Sequence, residues 1–183
     1  MEVKLFFPTG ILFHSVPSQL ADEIESLVVP RLNNLNYVEN VKSDFFEQNK
    51  IIKEKEIKGL IKEVKKCVEY YSQAVKVEPK GLEYWVQDYS PNDFHEIHNH
   101  GRTLFSVVYW VRASQTPGDL IIYEASEFKK NWFLKPSKAP FSYTNISVTP
   151  EKGNLVLFPG YLNHEVLPGG KDCIRTTIAF NIT

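Results

Sequence analysis

The chain has 183 residues, 43% of them hydrophobic and 13% aromatic, which suits one domain with a substantial core. Lysine and arginine (21) balance aspartate and glutamate (22) to a formal charge of -1, so no global field draws it to nucleic acid or to an anionic membrane. Cys67 and Cys173 stand far apart and outside any C-x-x-C, which excludes a disulfide framework or a cysteine metal cage and leaves both as reduced core residues.

The opening stretch "VKLFFPTGILF" is too short to span a bilayer and carries Lys4 and Pro8, and Met1-Glu2 lacks the basic start of a secretory signal. A cytoplasmic location is therefore expected, and the sequons at Asn145 and Asn181 are read as chance. From Ser18 a helix is expected to about Val28, with Leu20, Ile24 and Leu27 on one face and Pro30 near its end. In a second, longer helix Ile57, Leu60, Ile61, Val64, Cys67, Val68 and Tyr71 recur at helical spacing. Lysines and glutamates of both signs fill its other face, the pattern of a solvated surface.

After Pro79-Lys80-Gly81 the character changes to short runs rich in aromatic and branched residues: "LEYWVQDY", "TLFSVVYWV", "GDLIIYE", "NISVT", "NLVLFPG" and "IRTTIAFNI". Turn formers separate them, and no crossover-length helix lies between them. That pattern predicts a mostly β, α+β chain built on an antiparallel jelly roll, with the helices against one outer face. One domain is expected over 1–183, residues 1–80 as a helical support region and 81–183 as the core. The long stretch "SEFKKNWFLKPSKAPFSYT" is read first as a connecting loop that packs Trp132 and Phe133, with a lid over the substrate as its functional alternative. Trp85 and Phe105 read as core aromatics of strands, and Cys173 as barrel packing.

"FHEIHNH" places three of the five histidines, His95, His98 and His100, within six residues. In an extended segment Glu96, His98 and His100 share one face, and His95, Ile97 and Asn99 the other. His164 follows the strand "GNLVLF" and its Pro159-Gly160 break, and Arg175 comes eleven residues later at the start of the last strand. Paired histidines early, one late and an arginine beyond suit a non-haem Fe(II) centre that leaves positions open for a bidentate co-substrate and O₂. The arginine is suited to hold that co-substrate's distal carboxylate in a fork.

On these residues the chain resembles the 2-oxoglutarate/Fe(II)-dependent oxygenases, in particular the prolyl-hydroxylase-like branch. That branch runs Y-x-x-G-x-x-x-x-x-H-x-D, then a strand with an aromatic pair, then a late histidine with an arginine about ten residues on. Here Tyr89, Asn92, His98 and His100 are followed by "SVVYWV", His164 and Arg175. A group of bacterial and phage proteins in the superfamily shares "H-x-H", "G-x-L-x-L-F-P-x-x-L-x-H" and a terminal "R-x-S-x-x-F-N". The resemblance covers about Leu82 to Thr183, with a weaker likeness in "LFFPTGILF".

It implies a double-stranded β-helix, the cupin-like jelly roll, and an enzyme that uses Fe(II) and 2-oxoglutarate, releases succinate and CO₂, and hydroxylates a peptide side chain or a small metabolite. Carried over residue by residue, it implies iron on His98, His100 and His164. It also implies 2-oxoglutarate on Arg175 and Thr177, with Tyr89 and Trp110 beside it. Two departures stand out. Asn92 replaces a glycine, and asparagine is the next residue to accept positive φ. His100 replaces the usual Asp or Glu, which leaves the site one negative charge short. Glu96 as the carboxylate, or His98 and His164 with water, are the alternatives to His100.

Two rivals differ in class. A three-histidine cupin-type dioxygenase would bind its substrate directly to iron without 2-oxoglutarate, leaving Arg175 without an obvious partner. A non-catalytic jelly-roll binding module would keep the fold and lose the metal. The expected partners are the co-substrate and a substrate the sequence does not identify, with no nucleic acid and no membrane. Exposed edge strands leave self-association open.

Overall fold

The computed structural model of the chain describes residues 9–125 and 144–183. Nearly the whole stretch "SEFKKNWFLKPSKAPFSYT", with Trp132 and Phe133 of the expected connecting loop, and the start of "LFFPTGILF" lie outside the described residues.

A short strand, β1 (Leu12–Ser15), leads into α1 (Ser18–Val28), which runs as its apolar spacing predicts. A small hairpin follows, β2 (Asn36–Val38) and β3 (Val41–Ser43), and then α2 (Lys58–Val75). Lys76 ends α2 in the left-handed conformation, φ 57 and ψ 50, that closes many helices. The remaining elements are β4 (Leu82–Tyr89), β5 (His95–His98), β6 (Phe105–Ala113), β7 (Leu120–Tyr123), β8 (Asn145–Val148), β9 (Asn154–Pro159), β10 (His164–Val166) and β11 (Arg175–Ile182).

These strands make two antiparallel sheets, one of seven in the order β1-β9-β6-β11-β4-β3-β2 and one of four in the order β5-β10-β7-β8. Together they form a double-stranded β-helix, the expected jelly roll. The region 1–80 is more than helical support, because it lends β1, β2 and β3 to the larger sheet.

Both faces of the central strands are covered, and their residues divide between two cores. Val107, Tyr109 and Val111 of β6, Leu155 and Leu157 of β9, and Ile178 and Phe180 of β11 pack with Ile24 and Val28 of α1 and Leu60, Ile61 and Val64 of α2. The alternate residues Trp110, Val156 and Phe158 meet Leu120 and Ile122 between the sheets. Strands buried on both sides read as continuous apolar runs, which is why "NLVLF" and "SVVYWV" show no polar alternation. Each fully buried Leu or Ile in these layers contributes about 1.5–3 kcal/mol of transfer free energy.

The strand β11 is central in the larger sheet, bonded to β4 on one side and β6 on the other. Ile178, Phe180 and Ile182 feed the helix-side core, so Arg175, Thr177, Ala179 and Asn181 face the space between the sheets. There, at the open side of the smaller sheet, the histidines gather.

Candidate metal centre

His98 on β5 and His164 on β10 are direct cross-strand partners in the smaller sheet. Their ring centroids lie 4.2 Å apart, and His100, just past the end of β5, sits 5.2 Å from each. One ligand nitrogen from each of His98, His100 and His164 falls within 4.8 Å of the others, a spacing that could hold a metal ion.

Each imidazole is oriented through its Nδ1. That atom lies 2.7 Å from the Glu96 carbonyl oxygen in His98, 3.0 Å from the Leu162 carbonyl oxygen in His164, and 2.5 Å from Asn181 Oδ1 in His100. Against a carbonyl or amide oxygen, Nδ1 must carry the proton and donate, which leaves every Nε2 with a free lone pair. Such outer partners set tautomer and ring angle at metal sites. Burial pushes the His98 and His100 pKa values down, and burial with the neighbouring imidazoles pushes His164 down to about 3. All three are therefore neutral near pH 7, the state that ligates.

Glu96, the alternative third ligand, points to solvent and lies outside this group. The expected facing of β5 is corrected by its register. Between His95 and His98 the strand advances three residues while β10 advances two, from Val166 to His164. This bulge turns His95 onto the face of His98, where the rings stack at 4.1 Å, and turns Glu96 away. His95 Nδ1 lies 3.4 Å from Gln87 Nε2, and burial with the adjacent imidazoles lowers its pKa to about 4.

Arg175 lies deeper in the same cavity, 1% exposed, with its guanidinium 3.9 Å above the Tyr89 ring. Its Nη1 donates to the carbonyl oxygens of Pro117 (2.5 Å), Gly118 (2.5 Å) and Leu167 (3.3 Å). Gly118 is required there, since its φ is +75 and a Cβ would stand 2.2 Å from the Leu167 carbonyl oxygen. Arg175 Nε and Nη2 and the Thr177 hydroxyl are buried and find no hydrogen-bond partner among the described residues. A buried cation with two unpaired donors costs several kcal/mol unless an anion meets it. Among the described residues no Asp or Glu lines the cavity, and a carboxylate is the group that suits those donors.

Trp110 is buried and lines the cavity beside Thr177, its neighbour on β11. Asn92 has φ 71, the positive value expected of the residue that replaces glycine. Trp85 is buried as expected but also stacks on His100, centroids 6.0 Å apart, and Cys173 packs with its Sγ against the Pro117 carbonyl oxygen. Asn181 was missed by the sequence reading, although it stands in the stretch that carries Arg175. Counting 175, 177, 179 and 181 along one strand face is the signal that finds it.

The sequence matches a family model described as "Putative 2OG-Fe(II) oxygenase" over residues 83–181, more than half of the chain. No curated protein matches it at a significant level. Among solved structures it is similar to a Pseudomonas putida prolyl-4-hydroxylase, with TM-score 0.68 and 17% identity over 95% of this chain and 92% of that one. It is also similar to the viral collagen prolyl hydroxylase of Paramecium Bursaria Chlorella virus-1 in its 2OG complex, with TM-score 0.62 and 13% identity over 94% of each chain. A Trichoplax adhaerens prolyl hydroxylase bound to a hypoxia inducible factor peptide fragment gives TM-score 0.64 and 15% identity over 95% of this chain and 83% of that one.

Proposed function

The chain belongs to the 2OG-Fe(II) oxygenase family, and on that premise we propose that His98, His100 and His164 hold the iron through Nε2 while Arg175 and Thr177 hold the distal carboxylate of 2-oxoglutarate. The observation that carries this reading is the pairing of two unmet demands in one cavity. Three neutral imidazoles converge with free Nε2 lone pairs, and a buried guanidinium has two nitrogens, Nε and Nη2, unpaired among the described residues. An Fe(II) ion answers the first and a dicarboxylate the second, so the residues present fit both groups.

Iron with 2-oxoglutarate supplies activation of O₂ coupled to decarboxylation to succinate and CO₂, with hydroxylation of a substrate C–H as the default outcome. The chain's own residues bind, orient and exclude water. Arg175 and Thr177 fix one end of the co-substrate, and the Tyr89 ring backs the guanidinium. Asn181, Leu162 and Glu96 lock the ring angles from outside. Trp110, Leu120 and Val108 wall the cavity with apolar surface that keeps bulk water away.

His100 in place of a carboxylate leaves the loaded site one charge more positive, which favours the dianionic co-substrate and lowers the affinity for iron alone. We take the substrate to be a peptide side chain or a small metabolite, and infer no role for nucleic acid from the near-neutral charge. Among the described residues no helix is long and apolar enough to cross a membrane. Two buried free cysteines fit a reducing compartment, and a cytoplasmic location is part of the proposal.

The test is an anaerobic titration of metal-free protein with Fe(II) and then 2-oxoglutarate. The weak visible charge-transfer band of an iron-bound 2-oxo acid should appear, and its midpoint should rise in Arg175→Ala. Iron binding without a band would sink the co-substrate assignment; absence of iron binding would sink the ligand set.

A further inference from the structure

A second space meets the same imidazoles from outside. It is an open cleft of about 440 Å³ that shares Trp85, Gln87, His95, His98 and His100 with the buried cavity. Its outer wall comes from the β2–β3 hairpin and the loop after it: Glu39 at the tip, then Phe45 and Phe46. Resting on the iron and 2-oxoglutarate reading above, we propose that Glu39 and the Phe45–Phe46–Trp85 wall select a substrate carrying a positive charge, an ammonium or guanidinium group, near the carbon to be oxidised.

Glu39 stands in a two-residue turn with φ 56, a conformation that a glutamate adopts only at a cost. The turn is tied to the histidine strand, since Phe94 N–H donates to the Asn40 carbonyl oxygen (3.4 Å) and Tyr37 OH to Asp93 (3.5 Å). The Glu39 carboxylate makes no hydrogen bond or ion pair with any described residue. It lines the same cleft as His98 and His100. Arg102 also lines the cleft, beyond the far end of β5. The cations on the hairpin side are already held: Lys42 lies over the Tyr37 ring, and Lys50 donates to the carbonyl oxygens of Asp44 and Phe45.

The aromatic wall supplies the second half of the argument. Phe46 is 75% exposed and Phe45 41%, each costly to leave in water unless something covers it. Phe45 makes T-shaped contacts with both Phe46 and Trp85, centroids 4.8 Å apart, and all three rings line the cleft. A carboxylate beside π faces is the chemistry that holds an organic cation. Without a carboxylate ligand, the metal ion and Arg175 would repel such a group from the centre, and Glu39 is the acidic residue placed in the cleft to offset that.

The experiment uses the full chain and three probes of one shape: benzylammonium, benzyl alcohol and benzoate. Each is titrated anaerobically into protein loaded with Fe(II) and 2-oxoglutarate, and paramagnetic broadening of the probe's ortho ring proton signal, which all three share, reports binding near the iron. Benzylammonium should bind about tenfold more tightly than benzyl alcohol, and benzoate least well. Glu39→Gln should erase the preference while leaving the 2-oxoglutarate midpoint in place. Glu39→Gly, which suits the positive φ, does the same without risk to the hairpin. Equal or reversed affinities, a preference that survives both variants, or no binding of any probe up to millimolar concentration would overturn the proposal. If the 2-oxoglutarate band itself is missing, the cofactor reading fails instead, and saturation-transfer measurements on metal-free protein still rank the three probes.

Discussion

His95 and His98 stack at 4.1 Å although three positions separate them on one strand. Regular pleating would place them on opposite faces, and the bulge against β10 is what brings them together. The same half-turn sends Glu96 outward, while His100 groups with His98 and His164.

Iron binding should therefore follow the imidazoles and ignore the carboxylate. His98→Ala and His164→Ala should each lower Fe(II) affinity by at least about 100-fold, while Glu96→Gln leaves it unchanged. Anaerobic metal titration beside circular dichroism checks both, since the fold must persist for the comparison to hold. Weakened binding in Glu96→Gln would return the carboxylate to the ligand set.

Asn181 should behave as an outer partner of the metal. With Oδ1 2.5 Å from His100 Nδ1, its loss in Asn181→Ala should weaken iron roughly 10- to 100-fold. Asn181→Asp should strengthen it, because a carboxylate there raises the basicity of His100 and supplies the missing charge. Both shifts are read as Fe(II) dissociation constants at fixed pH.

Arg175 should separate co-substrate from metal. Arg175→Lys keeps a charge but loses the planar fork, and the 2-oxoglutarate midpoint should rise roughly 10- to 100-fold with iron affinity intact. An equal loss of iron would mean that the substitution disturbs the whole cavity through the Pro117, Gly118 and Leu167 carbonyl contacts.

Far from the site, Arg31 forms a bidentate pair with Glu56 at 2.8 and 3.0 Å, and this holds the Glu56 carboxyl down to about 2. A depressed acid stabilises the fold above its unfolded value of about 4.3, and the contribution fades as pH falls toward 2. The urea midpoints of wild type and Glu56→Gln should differ at pH 6 and converge by pH 2. The gap should be small, because the pair is solvent-screened.

Periodicity made much of this legible. The helical spacing of Leu60, Ile61, Val64 and Cys67 marks α2, and the unbroken "IRTTIAFNI" marks a strand buried on both faces. The hairpin at "NYVENVKS" was not legible, because an edge ribbon with exposed Asn36 and Tyr37 shows no apolar alternation. His164 and Arg175 could be assigned in sequence because each sits at a strand start with a fixed offset. The facing of His95 could not, since a bulge is a property of two strands in register and β10 is only three residues long.

One strand bears on how the protein comes into being. Arg175, Thr177 and Asn181, whose side chains line the histidine cavity or brace His100, all stand on β11, which pairs with both β4 and β6. On the ribosome, a chain stalled before residue 175 already carries the carbonyl braces of His98 and His164 but still lacks the Asn181 brace of His100 and the Arg175 guanidinium, so the cavity cannot close around its histidines until β11 has been made.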